Sequence, residues 1–114
     1  MGTEHEISQY FVGPLNINRH KKQANTVLGV SLTLGESGFY ALDMLAAREN
    51  VPFTFDQLYS TVWVAGNCQA SRTAARMELD NLIEQVGAAG QGFMWIEHSP
   101  GSDYTFRTRW KRGW

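Results

Sequence analysis

Ala75, Leu79, Leu82 and Val86 stand four, three and four residues apart in a segment that is otherwise largely polar. Residues so spaced return to one side of a helix, so the stretch from about Ser71 to Gly87 is expected to be amphipathic, with one narrow apolar stripe. Such a stripe needs a partner surface, which the flanking sequence must supply. Upstream, Thr33-Leu34-Gly35-Glu36 and Thr54-Phe55-Asp56-Gln57 each place a threonine three residues before a Glu or Gln, the pattern of a capping box. The first predicts a helix from Leu34 to about Glu49, ending before Pro52, with Phe39, Leu42, Leu45 and Ala46 on its inner face. The second predicts a shorter helix with Leu58 and Val62 inward, closed by Trp63 and followed by a loop.

Strand patterns flank these helices. Tyr10–Val12, Leu15 with Ile17, Thr26–Leu28, and Val30 with Leu32 are short apolar or alternating runs. Gly13-Pro14, the polar stretch Arg19–Asn25 and Gly29 separate them as bends. After Gly87–Gly92, which reads as a turn, Phe93–Ile96 and Tyr104–Arg107 are expected to pair across a Ser99-Pro100-Gly101-Ser102 turn. Tyr104 and Phe106 alternate with Thr105 and Arg107, as in a half-buried strand. The order is a small antiparallel sheet, three helices and a hairpin. Residues 1–7 are expected to be a loose leader, 8–109 the folded domain, and 110–114 a basic aromatic tail.

The chain has 114 residues, 43% of them hydrophobic and 18% charged, enough for one domain with its own core. No apolar run approaches the roughly 20 residues that span a bilayer, and Glu4-His5-Glu6 does not begin a signal peptide. Cys68 is the one cysteine, so no internal disulfide can form and a cytoplasmic location is expected. His5, His20 and His98 are scattered, which predicts no metal site. No nucleophile and base arrangement is legible, and the glycine run follows a helix instead of starting one. An enzyme and a cofactor are therefore not expected.

The order and spacing of these residues resemble the effector domain of OmpR/PhoB-type response regulators, a winged helix-turn-helix family. Gly13-Pro14-Leu15 with Ile17 is similar to its opening strand. Leu32-Thr33 with Glu36, Leu42 and Leu45 is similar to its first helix, and Leu58 with Val62-Trp63 to its second. Leu79 and Leu82 fall at apolar anchors of its recognition helix, and Ile96, Gly101, Tyr104 and Phe106 match its terminal hairpin. The resemblance spans about Phe11 to Phe106. It implies an α+β winged helix whose third helix enters the major groove of double-stranded DNA while the hairpin, the wing, reaches the adjacent minor groove or backbone. It also implies a loop, here 64–70, positioned to touch RNA polymerase, and a dimer on paired half-sites. No stretch has room for the family's separate receiver domain.

Arg72, Thr73, Arg76 and Met77 on the third helix, and Arg107 and Arg109 on the last strand, are the candidate DNA contacts. The chain's formal charge is −1, but Arg19, Lys21 and Lys22 cluster early and Arg107, Arg109, Lys111 and Arg112 cluster late. Four phosphate contacts from that tail would give a salt slope of roughly −3.6, at about −0.9 each. Other positions depart from the family. Asp80 and Glu84 share the outer face with Thr73 and Met77, Glu78 lies on one flank, and Asn81 and Ile83 stand where arginines are usual. Pro100 and Asp103 replace the wing's usual arginine and glycine. Trp95, Trp110 and Trp114 suit either stacking on nucleic acid or a protein contact. Asp43, Glu49 and Asp56 read as solvated helix-surface carboxylates. Two functions follow: a DNA-binding transcription regulator, or a winged-helix adaptor that has lost DNA binding and engages a protein through Met77, the acidic helix or the tail.

Overall fold

A computed structural model describes residues 8–66 and 69–109. The expected leader, Cys68 and the basic aromatic tail lie outside the described residues. Strands β1 (Gln9–Val12), β2 (Leu15–Asn18) and β3 (Gln23–Thr26) form an antiparallel sheet in the order β1-β2-β3. Tyr10 stands opposite Ile17, and Ile17 opposite Ala24, so alternate side chains make one buried face. Helix α1 (Glu36–Ala46) follows, then α2 (Phe55–Leu58), which runs on as a π-helical turn over Tyr59–Val64. Helix α3 (Arg72–Gly90) leads to the hairpin of β4 (Met94–Glu97) and β5 (Thr105–Thr108). One core unites these elements, centred on Leu42, Leu45, Trp63, Leu79, Leu82 and Phe106. Among the described residues no helix is long and apolar enough to cross a membrane.

Several expectations need correction. The third strand is not Thr26–Leu28 but Gln23–Thr26, reaching back into the polar stretch. The Thr26 hydroxyl accepts from the amides of Leu28 and Val30, which bends the chain at once and leaves Val27 and Leu28 exposed in a turn. The run at Val30 and Leu32 contributes one bridge, Ser31 with Asn25, in place of a strand.

The Thr33–Glu36 capping box does not form. The Gln85 side-chain amide holds both the backbone N–H and the carbonyl of Thr33, at 2.9 and 2.8 Å. The Glu36 carboxylate is taken by Lys22 and the Tyr40 hydroxyl. With the Thr33 amide and the Glu36 carboxylate both engaged elsewhere, α1 starts two residues later than expected, behind Gly35. Its other end is early too. Asn50 turns with φ of 70°, and residues 50–53 run alongside β5, where Phe53 and Tyr104 exchange backbone hydrogen bonds. That added edge explains why Thr105 is buried together with Tyr104 and Phe106, against the simple alternation. The Thr54–Gln57 box, by contrast, is complete in both directions.

Asp43 and Glu49 are not free surface carboxylates. Asp43 accepts from the Tyr10 hydroxyl and from Arg19 Nε, tying the sheet to α1. Burial, with the Asp43 hydrogen bond adding to it, pushes the Tyr10 phenol well above its ordinary range. Glu49 accepts from the Thr108 hydroxyl and so ties the end of α1 to β5.

Helix α3 does not stop at Gly87. It continues to Gly90 and ends where Gln91 turns left-handed, with φ of 50°. A β-carbon on Gly90 would lie 2.5 Å from Met94 Cγ, whereas one on Gly87 would meet nothing within 4 Å. The same substitution should therefore act in opposite directions within one turn. Gly87→Ala is expected to raise unfolding free energy by about 0.5–1 kcal/mol through helix propensity. Gly90→Ala is expected to lower it by about 1–3 kcal/mol through overpacking of a buried contact. Urea unfolding of the two variants checks both signs.

Candidate nucleic-acid interface

The start of α3 is built by the helix before it. Ser71 caps α3 by accepting from the Ala74 amide at 3.1 Å, and the Tyr59 hydroxyl donates to the Ala70 carbonyl at 2.8 Å. Two turns into α3, Glu78 fixes its rotation. One carboxylate oxygen accepts from the Trp63 indole N–H at 2.9 Å and from the Ser37 hydroxyl, so a single side chain joins all three helices. Glu78 thus lies on the flank, as the sequence suggested, and that flank is bonded inward. With that side held inward, Arg72, Thr73, Arg76, Met77, Asp80 and Glu84 are exposed.

The aromatic rings of α2 form a column beneath the two arginines. Phe55 and Tyr59 stack at 5.7 Å and 23°, and Tyr59 and Trp63 at 6.3 Å and 18°. Four residues of α-helix overshoot a full turn by about 40°. The wider π turn, recorded by the Ala65 amide bonding to Ser60, swings the next four back, so all three rings share one face. Arg76 lies 3.9 Å from the Phe55 ring centre, and Arg72 lies 5.0 Å from Phe55 and 5.3 Å from Tyr59. Stacking on ring faces orients a guanidinium without consuming its N–H donors. Asp56 on α2 bonds the Arg72 Nη2.

Across from this pair stands the hairpin turn. Thr54, Phe55, Asp56, Arg72, Arg76, His98, Ser102 and Tyr104 line one open cleft of about 330 Å3. The His98 ring stacks on Tyr104 at 3.9 Å and 4°, and the Ser99–Ser102 turn is closed by hydrogen bonds through the Ser102 hydroxyl. Burial raises the pKa of the Tyr104 phenol, with Arg76 opposing the shift and Asp80 adding to it.

Sequence reasoning missed Phe55, Asp56 and His98 as parts of this cleft. The spacing of Phe55, Tyr59 and Trp63 by fours was visible, but only the π turn makes it a column. Arg107 and Arg109 do not line the cleft; they lie toward the far end of β5. Arg107 pairs with Glu97 at 2.7 Å and donates to Asn50 at 3.0 Å, while Arg109 lies 5.2 Å from the centre of the Trp95 ring. Of the early basic cluster, Arg19 pairs with Asp43 and Lys22 with Glu36.

The backbone is similar to three solved domains or proteins. The DNA-binding domain of the response regulator AdeR, in complex with an intercistronic region, superposes with a TM-score of 0.69 at 13% identity, covering 87% of this chain and 99% of that one. The DNA-binding domain of CpxR from E. coli gives 0.67 at 20% identity, over 88% of this chain and 96% of that one. The response regulator DrrB, a Thermotoga maritima OmpR/PhoB homolog, gives 0.68 at 19% identity, over 90% of this chain and 45% of that one. The chain has the OmpR/PhoB-type winged-helix fold. In the terms of that fold, α3 stands in the place of the recognition helix, and β4, β5 and their turn are the wing. No family model matches the sequence, and no curated protein matches it.

The orientation of α3 in this OmpR/PhoB-type winged-helix fold should depend on Glu78. Glu78→Ala leaves the buried Trp63 N–H without its acceptor and is expected to lower stability by about 1–3 kcal/mol. Glu84→Ala, on the exposed face of the same helix, is expected to stay within about 0.5 kcal/mol. Chemical unfolding followed by Trp fluorescence checks the difference.

Proposed function

We propose that this chain is a double-stranded DNA-binding domain of a transcription regulator, working in the cytoplasm and contacting DNA with the first turns of α3. One observation carries the reading: Arg72 and Arg76 are presented together at the exposed start of α3, on an aromatic support and beside the wing turn. A helix fits the major groove, and side chains from its first turns reach base edges. The AdeR domain, solved with bound DNA, has the same backbone arrangement, which supports this placement. In the proposal Thr73 and Met77 sit between the arginines and the bases, with the Met77 side chain suited to a thymine methyl. Arg109 and Arg107 hold backbone phosphate from the wing, Arg107 less strongly because Glu97 shares its charge. The 64–70 loop, of which 67 and 68 lie outside the described residues, is the contact for RNA polymerase. Pairing of two copies on adjacent half-sites completes the assembly.

Asp80 and Glu84 set the limit of this contact. Both are exposed, and a phosphate beside either is repelled. The helix therefore meets DNA end-on through its first turns. Fluorescence anisotropy with a mixed duplex should show affinity falling by on the order of tenfold or more between about 50 and 200 mM salt. At the lower salt, Arg72→Ala combined with Arg76→Ala should weaken binding on the order of tenfold, and Asp80→Ala should not weaken it. Equal losses from the two would remove the groove assignment.

One observation favours the adaptor reading: Met77 is 67% exposed in the middle of the outer face of α3, next to acidic side chains. An exposed large apolar residue ringed by charge suits a protein contact. If a protein is the partner, Met77→Asp should abolish its capture while leaving the thermal melt unchanged. If DNA is the partner, the same variant should weaken duplex binding.

A further inference from the structure

The ion pair at the mouth of the cleft divides the two arginines by role. Arg76 lies over Phe55, and among the described residues no carboxylate forms an ion pair with it. Arg72 rests on Phe55 and Tyr59 and is also bonded through Nη2 to Asp56. The Arg72 and Asp56 side chains are 55% and 74% exposed, so water reaches the pair on the side away from the rings. Exposed pairs of this kind add little to folding stability and exchange partners readily. A carboxylate is also the nearest side-chain mimic of a phosphate oxygen, and a guanidinium recognises both in the same planar geometry.

We propose that Asp56 is a positioning residue for DNA recognition, occupying Arg72 as an internal stand-in for phosphate. This rests on the DNA-binding reading above. The ring column keeps Arg72 at the start of α3 whichever acceptor it holds, so DNA replaces Asp56 without a search by a long flexible side chain. Until it is replaced, the charge of Arg72 is cancelled and does not add to non-specific attraction. Arg76 supplies the indiscriminate contact. Arg72 engages only where an acceptor is well enough placed to compete with Asp56, which makes it the more selective of the two.

The test is the salt dependence of binding to a random-sequence duplex by four full-length proteins: wild type, Asp56→Asn, Arg72→Ala, and the double variant. Asp56→Asn keeps the shape of the side chain and removes its charge. It should bind more tightly at low salt and steepen the log–log slope by about 0.9, the equivalent of one added phosphate contact. In the Arg72→Ala background the same change should leave the slope where it was, because Asp56 acts through Arg72. A fifth protein, Asp56→Glu, should keep the wild-type slope, and all melting temperatures should agree closely. Wild-type binding with no change of slope in Asp56→Asn overturns the proposal, and so does an equal change in both backgrounds, which would mark simple charge repulsion. If none of the four binds at low salt, the DNA-binding reading itself fails, and this inference with it.

Discussion

The hydrogen bonds at Glu78 are what the interface depends on. A helix that packs through a narrow stripe of Ala75, Leu79, Leu82 and Val86 has a weakly determined rotation, since apolar contact is not directional. Glu78 supplies the direction. Its carboxylate reaches the Trp63 indole on one side and the Ser37 hydroxyl on the other, so α3 cannot roll without breaking bonds to both neighbouring helices. Leaving a buried indole N–H unpaired is far costlier than the net value of the bond it makes. The face that carries Arg72, Arg76 and Met77 is therefore outward because the opposite flank is bonded inward.

Much of this was legible in the sequence, and the failures share one cause. The stripe of α3 and the Thr54 cap were read correctly because each depends only on residues close in the chain. The Thr33 box failed because Gln85, some fifty residues away, takes the Thr33 backbone, and Lys22 takes Glu36. The third strand was misplaced because Val27 and Leu28 are apolar yet sit in a turn made by Thr26. Gly87–Gly92 read as a turn because glycine lowers helix propensity, while tertiary packing of Ala89 and Gly90 against β4 carried the helix on. Local chemistry offers an element, and distant side chains decide whether it is used.

The site was harder to read than the fold for the same reason. Arg72 and Arg76 were picked out as cations near a helix start, which a single sequence allows. Their orientation was not readable, because it rests on a ring column that exists only with a π turn in α2. No composition or spacing rule announces that turn. The charge count also misled: among the described residues Arg19 and Lys22 of the early cluster and Arg107 of the late one each have a carboxylate partner.

Helix α3 itself carries an axial separation of charge. Its first turns carry two arginines and the positive end of the helix dipole, while its middle carries exposed Asp80 and Glu84. On the proposed DNA-binding function a rod so polarised meets the polyanion at its tip, since deeper entry into the groove brings Asp80 and then Glu84 toward phosphate. Contact area is then small, and discrimination has to come from how few cations are used and how firmly each is placed. The ring column under Arg72 and Arg76 answers the second need. In the role proposed for it, Asp56 answers the first, by keeping Arg72 occupied until a better acceptor arrives.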